Sequence, residues 1–337
     1  MGSVTVRAPQ PEPAQRRESQ RRLGSLELLL VALIALALSA RTVSVLVADN
    51  AKASVAATVF CGVFVQALPF LVLGVLISGL IAAFVTPEQL TRWLPSNPLA
   101  AVAVAGIGGA ALPGCECGSV PVARRLFHPG VTGAAALAFM LSAPAINPVV
   151  LVATAVAFPG QPTMVLARCV ASLITAVVMG LLWLRLGRDE WITRPLPRVH
   201  ESGLPRWRIF VDAARDDFLQ AASYLVLGAA AAALLRILVP PSVFAGIGGH
   251  LLLGVVVMAS LAVVLALCSE ADAFVAASLT PVPLIPRLVF LVVGPAVDVK
   301  LLAMQAGMFG RSFAARFGPA TFVVATVVGT LVGLVLL

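Results

Sequence analysis

Residues 54–85 read SVAATVFCGVFVQALPFLVLGVLISGLIAAFV, 32 consecutive positions without a charged side chain. As a straight helix this run is about 48 Å long, more than the ~30 Å core of a bilayer requires. Pro69 and Gly74 within it predict that it tilts or kinks. Comparable apolar runs recur at about 25–47, 99–125, 131–158, 163–185, 212–239, 251–280, 286–309 and 318–337. Of the 337 residues, 60% are hydrophobic and 11% charged, whereas a soluble domain has about a quarter charged. The expectation is an all-α polytopic membrane protein, multi-pass in a cell (inner) membrane.

The net charge of +8 is carried almost wholly by arginine, concentrated in residues 1–22 and 187–211. In such a chain it predicts orientation and contact with anionic lipid, not nucleic-acid binding. MGSVTVRAPQPEPAQRRESQRR (1–22) has no apolar core, which predicts a disordered cytoplasmic tail and not a signal peptide. Residues 23–53 follow as an unpaired transmembrane helix.

The rest of the chain repeats itself. FVQALPFLVLGVLISGLIAAFVTP (64–87) aligns with FLQAASYLVLGAAAAALLRILVPP (218–241) with ten identities in 24, including Gly74/Gly228. FMLSAPAIN (139–147) aligns with FLVVGPAVD (290–298), and CECGS (115–119) lies opposite CSEAD (268–272). Three blocks in one order, at offsets of 154, 153 and 151, indicate two homologous four-segment repeats, 54–186 and 212–337, with 187–211 as a basic cytoplasmic loop. If every segment crosses once, that loop falls outside. If the cysteine-bearing segment of each half dips in and returns, or crosses twice, most arginines fall inside, as the positive-inside tendency requires. The repeats are then inverted, with broken or re-entrant helices, an arrangement typical of transporters.

Polar side chains at membrane depth are costly and mark function. The first half offers Gln66, Cys115, Glu116, Cys117 and Asn147, and the second Gln220, Cys268, Glu270, Asp272, Asp298 and Lys300. Most occupy matching places, so a pseudo-two-fold axis would bring them to one central site. On a helix the thiols of Cys115 and Cys117 diverge by about 200°. Pro113, Gly114, Gly118 and Pro121 instead predict an irregular turn that faces both toward one cavity. Thiolates there suit trivalent arsenic, Cu(I) or Zn(II); alternatively a buried cysteine is only a small hydrophobe, the reading taken for Cys61 and Cys169.

In SAPAINP (142–148), Pro144 and Pro148 flank Asn147, and Pro295 stands in the matching place of the second half. Such prolines open a helix and free carbonyls for ligands, unless Asn147 only repairs the freed backbone bonds. Glu270, Asp272, Asp298 and Lys300 are candidates for proton or ion coupling; Asp298 and Lys300 either neutralise one another or pair elsewhere. Arg124 and Arg125 read as orientation and lipid contact, and His128, His200 and His250 as surface residues. No metal ligand set and no cofactor motif is visible, and no G-x-x-x-x-G-K-[ST] supplies a nucleotide motor.

The blocks FVQALPFLVLGVLISGLIAAFV, PGCECGSVPVARRL, FMLSAPAINPVVL and CSEADAFVAASL resemble, in order, the ArsP-like predicted permease family. The resemblance implies an inner-membrane permease, not an enzyme, that moves a small-molecule or metalloid solute, with trivalent organoarsenicals as the known substrate class. It carries the motif to Cys115, Cys117, Gly118, Pro121, Pro144, Asn147, Pro148, Cys268 and Asp272. The family's usual middle residue of Cys-x-Cys is small and polar, often Ser; here it is Glu116. Two other readings stay open: a transmembrane thiol oxidoreductase using Cys115 and Cys268, and a Cu(I)/Zn(II) permease. Monomer and homodimer are both compatible with the sequence.

Overall fold

The computed structural model describes residues 51–85, 95–111, 116–127, 131–194, 205–238, 251–280 and 282–337. The expected tail 1–22, nearly all of the expected helix 23–53, Pro113, Gly114, Cys115 and the three histidines lie outside the described residues. Residues Val55–Leu337 form one unit; among the described residues every regular element is helical.

The helices are α1 (Ala51–Phe84), α2 (Pro98–Gly108), α3 (Glu116–Leu126), α4 (Val131–Ile146), α5 (Pro148–Ala157) and α6 (Pro162–Leu186) in the first half. The second half has α7 (Arg206–Leu238), α8 (Leu251–Leu265), α9 (Ser269–Ser278), α10 (Leu284–Ala296), α11 (Val299–Met308) and α12 (Arg311–Leu336). α1 runs unbroken through Pro69. Since α7 starts at Arg206, the last part of the expected loop 187–211 is already helix.

Proline and cap chemistry set the interruptions. Pro148 forces the residue before it out of helical geometry, and Asn147 is extended at φ −68°, ψ 156°. Its Oδ1 accepts from Val150 N at 3.0 Å, so it caps α5, while Pro148 occupies the first turn, where a missing N–H costs nothing. The second half breaks at Val297 and Asp298, both extended, and Asp298 caps α11 by accepting from Leu301 N. Pro144 and Pro295 lie inside α4 and α10, just before these breaks.

Broken helices expose backbone groups that lipid cannot satisfy, so they belong inside protein. The two interrupted spans, Thr132–Ala157 and Leu284–Met308, are accordingly 72% and 83% buried; the continuous spans of α1, α6 and α12 are 28–44% buried and face outward.

Two short hairpins complete the centre. α2 packs along α4, with Val102 against Gly180 and Gly109 against Ala143. It thus descends from the end of α6 to mid-depth, and α3 returns, placing Phe127 against Trp183 and Phe309 at 6.0 and 5.8 Å. α8 lies along α10, and α9 returns to a turn where Arg287 donates to the carbonyls of Thr280 and Val282, each at 2.6 Å. With 11 and 15 residues, α2 and α8 are about 16 and 22 Å long, too short to cross a ~30 Å core. The hairpins enter from opposite ends.

The end reached by α3 gathers Arg124, Arg125, Arg185, Arg188, Arg194, Arg206, Arg208, Arg311 and Arg316. Arg194 N donates to Phe309 O at 3.3 Å, and Arg316 stacks over Trp191. An aromatic cluster of Phe127, Trp183, Phe309, Phe313 and Phe317 lies beneath, as expected near a membrane interface.

Candidate functional site

The hairpin tips and the breaks meet in a buried polar centre. Each acid there sits where a helix begins. Glu116 is in the first turn of α3, Glu270 and Asp272 are in the first turn of α9, and Asp298 is the N-cap of α11. The partial positive charge of a helix N-terminus favours carboxylates at such positions.

Lys300, in the first turn of α11, is the cation of the centre. Its Nζ pairs with Glu116 Oε1, lies 3.6 Å from Asp298 Oδ2 and donates to Ala266 O at 3.4 Å. Lys300, Glu116 and Asp298 are all fully buried. Ala266, between α8 and α9, is the one non-glycine with positive φ among the described residues, at 46°; such strain of about 1–3 kcal/mol persists where surroundings over-determine it. Ser269 Oγ donates to Glu116 Oε2 at 3.3 Å, so the two hairpin tips touch. Cys117 and Cys268, both buried, lie within electrostatic range of Lys300.

A second cation joins from α6. Arg168 is completely buried and donates from Nη1 to Thr154 Oγ1 at 2.8 Å and from Nη2 to Ser269 O at 2.9 Å. It thereby ties α5, α6 and α9 together, and it interacts with Asp272 and Glu270.

A third cluster lies nearer the arginine-rich end, eight or nine residues along α3 from Glu116, about 12–13 Å away. Arg124 donates to Gln220 Oε1, whose Nε2 donates to Gly307 O at 3.2 Å. Arg125 pairs with Asp217 at 2.8 Å, and Asp217 also accepts from Ser78 at 2.6 Å. Gly74 crosses Gly118 backbone to backbone, and a Cβ on Gly118 would lie 2.7 Å from Phe70 O; that contact sets α1 against α3.

The structure therefore brings Glu116, Cys117, Cys268, Asp298 and Lys300 into one centre, with Glu270 and Asp272 beside it. Asn147 is buried, and its side chain also donates to Ala143 O at 3.0 Å, so it repairs backbone bonds at its own break. Gln220 belongs to the cluster near the arginine-rich end. Gln66, its partner in the alignment, is exposed on α1 and outside the centre. The expected irregular turn at Cys-Glu-Cys is corrected in part: Glu116 and Cys117 already begin a helix. Arg124 and Arg125 are corrected too, being bonded to α7 rather than to lipid. Arg168, Ser269, Thr154, Ser78 and Asp217 were not anticipated; only Arg168, a lone charge within an apolar run, carried a signal. Among the described residues no group of three or more His, Cys, Asp or Glu is placed to hold a metal ion.

The chain is 35% identical over 262 residues to the UPF0718 protein YcgR of Bacillus subtilis (strain 168), covering 76% of this chain and 89% of that one. It is 33% identical over 267 residues to a Streptococcus mutans protein named "Putative two-component membrane permease complex subunit", covering 77% and 88%. No solved structure matches it. The family model ArsP_1, described as a predicted permease, matches residues 52–334, and with that span the chain belongs to this family of membrane permeases.

Proposed function

We propose that the chain is a secondary permease of the cell (inner) membrane, with a cytoplasmic N-terminal tail, that exports a small soft-ligand solute such as a trivalent organoarsenical. Residues 54–186 and 212–337 act as inverted repeats, and the solute binds between them near the midplane. The observation that carries this reading is the Glu116–Lys300 ion pair. It joins the tip of the α2–α3 hairpin in the first half to the break before α11 in the second, where Lys300 also reaches Ala266 O at the tip of the α8–α9 hairpin, and a thiol from each half is buried within electrostatic range of it. A solute passing there must part the two halves, as alternating access between repeats requires. Cys117 and Cys268 supply soft donors for trivalent arsenic. One or more of Glu270, Asp272 and Asp298 couples export to proton uptake. The arginine-rich end faces the cytoplasm, as the positive-inside tendency favours.

Deleting the gene is expected to raise sensitivity to a trivalent organoarsenical, restored by the wild-type chain and not by a folded C117S/C268S variant. A panel of arsenicals, antimonials, copper and zinc that shows no shift for any compound removes the substrate assignment; a shift for copper or zinc alone replaces it with a metal-ion permease. Taken from the Streptococcus mutans relative's name, a second membrane component is part of the proposal, and the mass of the purified complex tests it.

A further inference from the structure

Four carboxyls, Glu116, Glu270, Asp272 and Asp298, face two cations, Lys300 and Arg168, so two acids are in excess. Lys300 is already engaged by Glu116 and Asp298. That leaves Arg168 as the cation for α9; its Nη1 and Nη2 each donate one N–H, to Thr154 and to Ser269 O, and its Nε has no hydrogen-bond partner. Asp272 is 2% exposed, and its Oδ2 also has no hydrogen-bond partner. Instead Oδ2 is turned to α10, where a Cβ on Gly294 would come within 2.7 Å of it. A donor and an acceptor of opposite charge thus lie within electrostatic reach, both buried, and not bonded to each other.

An ionised carboxylate left in this way is not a stable arrangement, because a buried unpaired charge neutralises instead. The groups that face Asp272 are Arg168 from α6, Glu116 from α3, and Lys300 and Asp298 at α11. α10 presents Gly294 and no charge there, and Thr154 is the polar residue of α5 nearby. Glu270, on the same helix, is half-buried as a residue, although its two carboxyl oxygens are also buried without a hydrogen-bond partner.

We propose that Asp272 and Arg168 form a proton-switched pair. In this conformation Asp272 holds a proton on Oδ2 against Gly294. When the O–H bond breaks, the proton passes to water admitted to the centre, and the carboxylate turns to accept from Arg168 Nε–H. Arg168 is anchored on α6 and already grips the start of α9, so the new bond draws the α8–α9 hairpin toward the first half. Protonation returns Asp272 to Gly294 and releases the hairpin. The use of this switch to couple proton flow to export rests on the permease reading; the pair itself does not.

Infrared difference spectra of the purified full-length protein, titrated across pH, read the switch without any solute. The wild type is expected to show a protonated-carboxyl component that disappears as pH rises, and D272N to lack that component while those of Glu270 and Asp298 remain. R168Q removes the cation that stabilises the carboxylate, so the midpoint moves to higher pH by about one to three units. R168K keeps the charge without the fork and shifts it less, which covers the case in which R168Q does not fold. A band that persists unchanged in D272N, or a midpoint unmoved in both Arg168 variants, overturns the proposal. Expected titrations in a protein that moves no organoarsenical in vesicles would remove the organoarsenical substrate and leave the pair standing.

Discussion

Removing Lys300 tests the centre most sharply. In Lys300→Met both Glu116 and Asp298 lose their cation, and both are fully buried. Breaking a buried pair by deleting one partner costs about 3–5 kcal/mol, because it strands a desolvated charge. Glu116→Gln is milder: Lys300 keeps Asp298 at 3.6 Å and Ala266 O at 3.4 Å, and the loss is that of one charged hydrogen bond, about 1.5–3 kcal/mol. In the double variant the side chain at position 116 is neutral and no longer needs Lys300. The double variant should therefore be no less stable than Lys300→Met alone, with a coupling at least as large as the Glu116→Gln loss, about 1.5–3 kcal/mol. Equilibrium unfolding of the three purified variants and the wild type in one detergent gives the cycle. Strictly additive effects, or Lys300→Met costing no more than Glu116→Gln, would refute the assignment of Lys300 as the shared cation.

Other expectations concern the frame around the centre. Gly74→Ala drives a methyl into the Gly118 backbone and Gly228→Ala places one 2.6 Å from Lys300 Cα, each costing about 1–3 kcal/mol by overpacking; Gly62→Ala, with nothing within 4 Å, should gain about 0.5–1 kcal/mol. The same unfolding assay should show Asn147→Ala and Asp298→Ala losing a helix cap worth about 0.5–2 kcal/mol. A cysteine introduced at Arg188 should be labelled by an impermeant maleimide only from the cytoplasmic side, and one at Leu337 only from the other side. Labelling with the reverse sidedness would contradict the orientation.

The sequence made the breaks legible because they are local chemistry. Pro148 restricts Asn147, Pro144 and Pro295 weaken the helices before each break, and the Asn147/Asp298 match in the alignment becomes two extended caps, each accepting from the N–H three residues on. The arginine distribution, a long-range but one-dimensional signal, calls for a cysteine-bearing segment in each half that either dips in and returns or crosses twice, without choosing between the two. What could not be read were partnerships set by packing. Gln66 and Gln220 align, yet Gln66 is exposed and Gln220 meets Arg124, because only the contacts of α7 with α3 and α11 decide which glutamine is enclosed. Glu116 is an anomaly between two thiols until Lys300, far away in sequence, is seen beside it. Arg168 is visible as a mid-segment charge, but its partners Thr154 and Ser269 O come from two other helices, and one of them is a backbone atom that no side-chain pattern reports.

Flux across a sealed membrane tests the central claim directly. Everted vesicles containing the wild-type chain, energised by a proton gradient, are expected to accumulate a trivalent organoarsenical, and vesicles with folded C117S/C268S or K300M to accumulate no more than protein-free controls. Accumulation by the wild type equal to the control, or undiminished accumulation by both variants, would contradict a solute path through the centre where Glu116, Lys300, Cys117 and Cys268 meet.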